Sequence, residues 1–150
     1  MSKPFPMQIL LDLAQEGCDA AAMRLGVVNG HDRDMQQRLK LLLEYRGEYT
    51  ARLASIAQSG MQSVGWRNFH NFIDKLDAAI EQQRELVAAA KREVETGQIY
   101  WHAQQRRLKS FDTLSQRHYS AERKSEARQE QKEQDDFALR GFLSQRSMLG

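Results

Sequence analysis

This chain of 150 residues has one cysteine, two prolines and no long apolar run, and those scarcities set the first limits. Cys18 has no second thiol to pair with, so the chain forms no internal disulfide. A lone thiol suits a reducing compartment such as the cytoplasm. Without a run of about 18 apolar residues, no segment spans a bilayer. Met1 to Pro6 lacks the basic segment and apolar core of a secretory signal. An excess of one charge is also missing. The 22 Lys and Arg residues against 20 Asp and Glu leave a net charge of +2, too weak by itself to argue for nucleic acid.

The motifs of catalysis are scarce as well. Gly26 and Gly30 lack the Lys-Ser/Thr ending and the preceding strand of a phosphate-binding loop. No Gly-x-Ser-x-Gly occurs. His31, His70, His102 and His118 include no i, i+4 pair and no neighbouring second ligand type, so zinc is not indicated. Cys18 lies on an apolar seam, where burial makes a thiol inert. The chain therefore reads as a non-enzyme with no cofactor and no metal.

What is abundant is helix-forming sequence. From about Phe5 to Gln58 there is no proline, and Leu, Ala, Gln, Glu and Arg dominate. Ser59 to Trp66 carries two glycines and two serines, the one convincing loop signal. From Arg67 onward proline is again missing. The expectation is an all-α, single coiled-coil domain over residues 1–150, with a helix over about 5–58, a loop over about 59–66 and a second, longer helix over about 67–145.

Periodicity sharpens this. Alternate steps of four and three place Met7, Leu11, Ala14, Cys18, Ala21, Leu25 and Val28 on one stripe of the first helix, continuing through Met35, Leu39, Leu42, Tyr49, Leu53 and Ile56. Asp32 and Arg46 are its only breaks. In the second helix the same steps give Phe69, Ile73, Leu76, Ile80, Val87, Ala90, Val94, Trp101, Leu108 and Phe111, broken by Gln83, Gln104 and the small Gly97. Apolar residues recurring every 3.5 positions mark a coiled coil, here an antiparallel hairpin. Folding back near residue 62 sets Met7 opposite about His118. The second seam turns polar there, at Ser115, His118 and Glu122. The paired part is then about 50 residues, or about 75 Å, a rod too thin to enclose a deep pocket.

The sequence beyond about residue 120 overhangs its partner. Glu122, Glu126 and Glu130 form one like-charged column, and Lys124, Arg128 and Lys132 another. Such a helix frays when free. Near its end Phe137, Leu139, Phe142 and Leu143 are apolar anchors with no partner in the chain, either a loose end or a docking segment. Gly17, Gly26, Gly30, Gly47 and Gly97 mark bends, close backbone approaches or simple tolerance within the helices.

Close to the loop, Tyr45 and Tyr49 share one face with Leu42, and Phe72, Leu76 and Ala79 recur at helical spacing on the other helix. Aromatic residues at a seam edge are enriched at protein interfaces, although they also thicken a core. A basic stretch, Arg106, Arg107, Lys109, Arg117, Arg123 and Lys124, touches RNA, a membrane surface or an acidic protein, or else is a solvated face.

With these residues placed, the chain resembles the FliJ family of the bacterial flagellar type III export apparatus over almost its full length. The resemblance rests on Leu10-Leu11-Asp12-Leu13-Ala14, Ala20-Ala21-Ala22, Leu25-Gly26 and Gln37-Arg38-Leu39. It continues through Tyr45, Glu48-Tyr49, Trp66-Arg67-Asn68-Phe69, Phe72-Ile73, Leu76 and Ala79-Ile80, to Trp101, Arg107-Leu108, Thr113-Leu114, Arg117 and Asp136-Phe137-Ala138. It implies a two-helix stalk that enters the export ATPase ring and promotes its assembly. It also implies binding to the cytoplasmic domain of the membrane export gate, to the ATPase regulator and to export chaperones. The family's gate-binding patch falls on Leu42, Tyr45, Tyr49, Phe72, Leu76 and Ala79, with Arg38 and Gln83 at two variable positions. The ATPase ring would meet the helix ends away from the loop, including Phe137, Leu139, Phe142 and Leu143. Alone the protein reads as a monomer. It would be cytoplasmic, and held at the inner membrane only through partners. A virulence injectisome stalk would share this fold and mechanism, and a basic RNA- or membrane-surface-binding coiled coil is the rival of a different class.

Overall fold

The computed structural model describes residues 3–60 and 63–149, and in it two α-helices pack against each other as a hairpin. Helix α1 runs over Gln8–Ser59 and α2 over Ser63–Leu149; among the described residues there is no strand. No helix of the described residues is long and apolar enough to cross a membrane. The expected fold class is the one observed.

The ends of the helices follow from local chemistry. Phe5 precedes Pro6, and a residue before proline is pushed out of the helical region. Residues 3–7 therefore form a non-helical lead-in, and the first turn is closed by the Gln8 N–H donating to the Phe5 carbonyl at 3.1 Å. Gly60 follows the last residue of α1 with φ +83°, the left-handed conformation that commonly ends a helix and that glycine adopts without a Cβ clash. The loop signal at 59–66 proves broader than the turn, because α2 already starts at Ser63 and Val64, Gly65 and Trp66 are helical. The first N–H groups of a helix have no intrahelical partner in any case, so a glycine there does little harm. Met61 and Gln62 lie outside the described residues.

The chain divides into two compact units. The turn unit is Asp19–Ala103, in which Met35 of α1 meets Gln83 of α2 and Arg46 meets Asp77, so the helices run antiparallel. Every seam position of this unit is buried or half-buried, including the polar breaks Asp32, Arg46 and Gln83. Met35, Val87 and Ala90, with Leu39 against them, form the centre of its core. Gly97 allows a close approach, since a Cβ there would stand 3.3 Å from Cδ1 of Leu25 and 3.4 Å from Cγ2 of Val28. Gly26, Gly30 and Gly47 meet nothing within 4 Å and are the tolerated kind.

The terminal unit combines residues 3–18 with 104–149. Ala14 and Cys18 are buried on its α1 side. The lead-in adds Phe5, which is buried against the His118 ring at 5.6 Å between centroids. His118 Nε2 also donates to the Lys3 carbonyl at 2.9 Å. Burial continues past the last apolar seam residue, Phe111. Ser115 is buried, and His118 and Glu122 are half-buried, although the stripe has turned polar. From residue 127 to 149 every described side chain is exposed.

Candidate functional site

In the turn unit the apolar seam opens at its edge into an aromatic surface contributed by both helices. On α1, positions 42, 45 and 49 recur at three- and four-residue steps and so share a face; on α2, positions 72, 76 and 79 do the same. Tyr49 is the hub. Its ring lies 4.5 Å from Phe72 at an interplanar angle of 35°, 6.2 Å from Tyr45 in a stacked arrangement, and 6.3 Å from Phe69. The Arg52 guanidinium sits 5.8 Å from the centre of the Tyr49 ring, in cation–π range.

Exposure separates anchors from supports. Tyr45 is 55% and Phe72 41% exposed, whereas Tyr49, Leu42, Leu76 and Ala79 are half-buried. Tyr49 lies against both exposed rings, which have apolar area left to cover. Leu41 and Leu43, which the seam pattern passes over, are also exposed close by in sequence. Arg38 is exposed. Gln83 points the other way: it is buried in the seam, where Nε2 donates to the Met35 main-chain carbonyl at 3.0 Å and lies 3.5 Å from the Met35 sulfur.

The pattern of the sequence gives Arg46 only as a break in the seam. In the structure its Nε donates to Oδ1 of Asp77, and Nη2 reaches Oδ2 at 3.4 Å, a fork joining the two helices. The hydrogen bond from Arg46 holds the Asp77 carboxyl below its ordinary pKa, with the opposite charge adding to it. The same bond, then the carboxylate charge, raises Arg46 above its already high value. The opposite sign of Asp77, next in sequence to the seam residue Leu76, was the available clue. Thr50 closes this edge with its hydroxyl donating to the carbonyls of Arg46 and Gly47, both at 3.0 Å.

In the terminal unit Phe137, Leu139, Phe142 and Leu143 are all exposed on α2. At about 100° per residue, Leu139, Phe142 and Leu143 share one side and Phe137 lies opposite them. The four therefore do not make a single stripe. Among the described residues no group of His, Cys, Asp or Glu is arranged to hold a metal ion. The rings of His70 and His102 lie against Trp66 and Trp101, at 4.8 and 5.2 Å.

A family model described as flagellar FliJ protein matches residues 2–147. A flagellar FliJ protein of Salmonella typhi is 32% identical over 143 residues, covering 95% of this chain and 97% of the relative. The flagellar FliJ protein of Escherichia coli (strain K12) is 31% identical over the same length and coverage.

Proposed function

The chain belongs to the FliJ family of flagellar proteins, and on that premise we propose that it serves flagellar type III protein export as a stalk-like docking protein rather than as an enzyme. Its aromatic surface binds the cytoplasmic domain of the membrane export gate. The observation that carries this reading is the pair of exposed rings, Tyr45 and Phe72, presented from two helices and braced by the half-buried Tyr49 between them. Rigid aromatic anchors with uncovered area, backed by well-packed neighbours, are the usual centre of a binding hot spot.

The exposed apolar residues of the last turns of α2, Leu139, Phe142 and Leu143 with Phe137, contact the export ATPase ring, and the ATPase regulator and export chaperones complete the set of partners. Membrane association comes only through these partners. The flagellar relatives favour this machinery over a virulence injectisome, whose stalk would have the same shape of function.

Calorimetric titration into the gate's cytoplasmic domain tests the docking step. The parent should bind, and a Tyr45→Ala/Phe72→Ala variant of unchanged helicity should not. Equal affinity of parent and variant would place the gate contact elsewhere. Absence of binding by both would remove gate docking from the function.

A further inference from the structure

One edge of the turn unit continues past the aromatic patch. Seven-residue steps from Tyr45 on α1 reach Arg38 and Arg52, and through His31 they reach Arg24. The same steps from Phe72 on α2 reach Ala79, Leu86, Glu93 and Tyr100. Residues seven apart lie on one edge of a coiled coil. Arg24 and Tyr100 line a single groove of about 630 Å³, together with Ala21, Val28 and Gly97. Because the helices run antiparallel, Arg38 faces Leu86 two heptads further on, and Arg52 faces Phe72 two heptads beyond that. Contacts support the last of these: the Arg52 guanidinium lies over the Tyr49 ring, which packs on Phe72.

The edge thus repeats one arrangement three times, an arginine facing a partly uncovered apolar side chain. Phe72, Leu86 and Tyr100 are 41, 46 and 47% exposed, and Arg24, Arg38 and Arg52 are exposed too. Charges on the edges of a coiled coil commonly pair across the seam. Among the described residues none of these three arginines is in an ion pair. Glu93 is the one carboxylate on the two rows, and it falls opposite His31. The other edge of the hairpin differs. It carries Gln36, Thr50, Arg84 and Lys91 beside the Arg46–Asp77 fork, and Leu43 is its only large apolar residue. Two heptads rise about 21 Å, so the arrangement recurs at that interval over about 42 Å. Another helix repeats its own side chains at the same interval. If it carries apolar and acidic rows, it matches the edge in both spacing and charge. A flat anionic surface would match the charge alone and leave the groove unfilled.

We propose that the docking surface extends along this whole edge and takes an amphipathic helix of the partner as a third strand. Apolar side chains of that helix cover Phe72, Leu86 and Tyr100, and its carboxylates pair with Arg24, Arg38 and Arg52. This rests on the gate-docking reading above, which already uses Phe72.

The test is calorimetric titration of the gate's cytoplasmic domain at several salt concentrations, with helicity of each variant verified by circular dichroism. Arg24→Gln/Arg52→Gln should bind about tenfold more weakly than the parent and lose affinity less steeply with salt. Leu86→Ala/Tyr100→Ala should also bind more weakly. Arg84→Gln/Lys91→Gln removes the same charge from the other edge and should bind like the parent. Equal weakening by both charge variants overturns the proposal, since net charge alone would then act. Parent-like binding by the first two variants overturns it as well and leaves the aromatic patch as the whole surface. Self-association of the free parent that Arg24→Gln/Arg52→Gln abolishes would make a second copy the occupant, and the proposal falls. If the parent does not bind the gate domain, the docking reading fails. A synthetic four-heptad helix with Leu at the seam positions and Glu at the flanking ones then decides the edge. Amide shifts at Leu86 and Tyr100 that vanish in Arg24→Gln/Arg52→Gln uphold it, and shifts elsewhere or none overturn it.

Discussion

Arg46 on α1 and Asp77 on α2 face each other across the hairpin, and the guanidinium spans both carboxylate oxygens. Because the bond depresses Asp77, the stability it contributes is present above the carboxyl's unfolded pKa, about 3.9, and is lost as pH falls through the lower folded value. Arg46 is raised, so its share is present below its unfolded value and disappears only in strong alkali. The pair therefore leaves stability flat across neutral pH and adds to its decline in acid. Carbon-detected titration should place the Asp77 midpoint below that of an unpaired aspartate, and Arg46→Gln should return it to the ordinary range. An Asp77 midpoint that ignores the Arg46 substitution would show the fork to be unimportant in solution.

Core and surface substitutions should separate cleanly. Ile80 is 4% exposed, so Ile80→Ala should cost about 2–4 kcal/mol in thermal or denaturant unfolding. Leu39 is half-buried against the Met35–Val87–Ala90 cluster, and Leu39→Ala belongs at the lower end of that range. Tyr45→Ala removes a mostly exposed ring and should leave the melt nearly unchanged while weakening partner binding. A large loss of stability from Tyr45→Ala would mean that its ring is core, not docking surface.

The glycines give a graded series. Gly47 has open space around its missing Cβ, so Gly47→Ala should raise stability by about 0.5–1 kcal/mol through helix propensity. Gly97→Ala should gain less, because its Cβ would press on Leu25 and Val28. Gly60→Ala should destabilise by about 1–2 kcal/mol, since φ +83° is costly for an L side chain. Three melting curves decide the order, and a Gly97→Ala gain equal to that of Gly47→Ala would remove the close approach from the argument.

This contrast also shows what a sequence can tell. The seam was legible at every position, because a 3.5-residue repeat is a local property of the chain, and burial follows it from Met7 to Ile56 and from Phe69 to Phe111. Of the six positions around Tyr49, the repeat places Leu42, Tyr49 and Leu76 on the seam and Tyr45, Phe72 and Ala79 beside it. Three features were not legible. The acceptor of Gln83 is a main-chain carbonyl, which leaves no mark in the sequence. Phe5 packs on His118, a pairing outside any repeat, and the burial of Ser115 could not be read from its polarity. The start of α2 at Ser63 was hidden because glycine looks like a loop residue even in a helix's first turn, where it is harmless.

The last stretch of α2 allows a test of where folding cooperativity ends. Residues 127–149 are exposed throughout, so their helix gains nothing from packing and relies on propensity alone. Amide exchange there should be fast, while amides near Met35, Ile80 and Ala90 exchange only on global unfolding. Removing residues 127–149 should then leave the thermal midpoint unchanged and lower the helical signal in proportion to the residues lost. If the chain is one coiled-coil domain, the remainder melts in a single transition from both α1 and α2 probes; two transitions would mean that residues 19–103 fold independently of the terminal unit. A midpoint that drops on truncation would mean that the tail makes stabilising contacts in solution, and it would then be unavailable as a free docking segment.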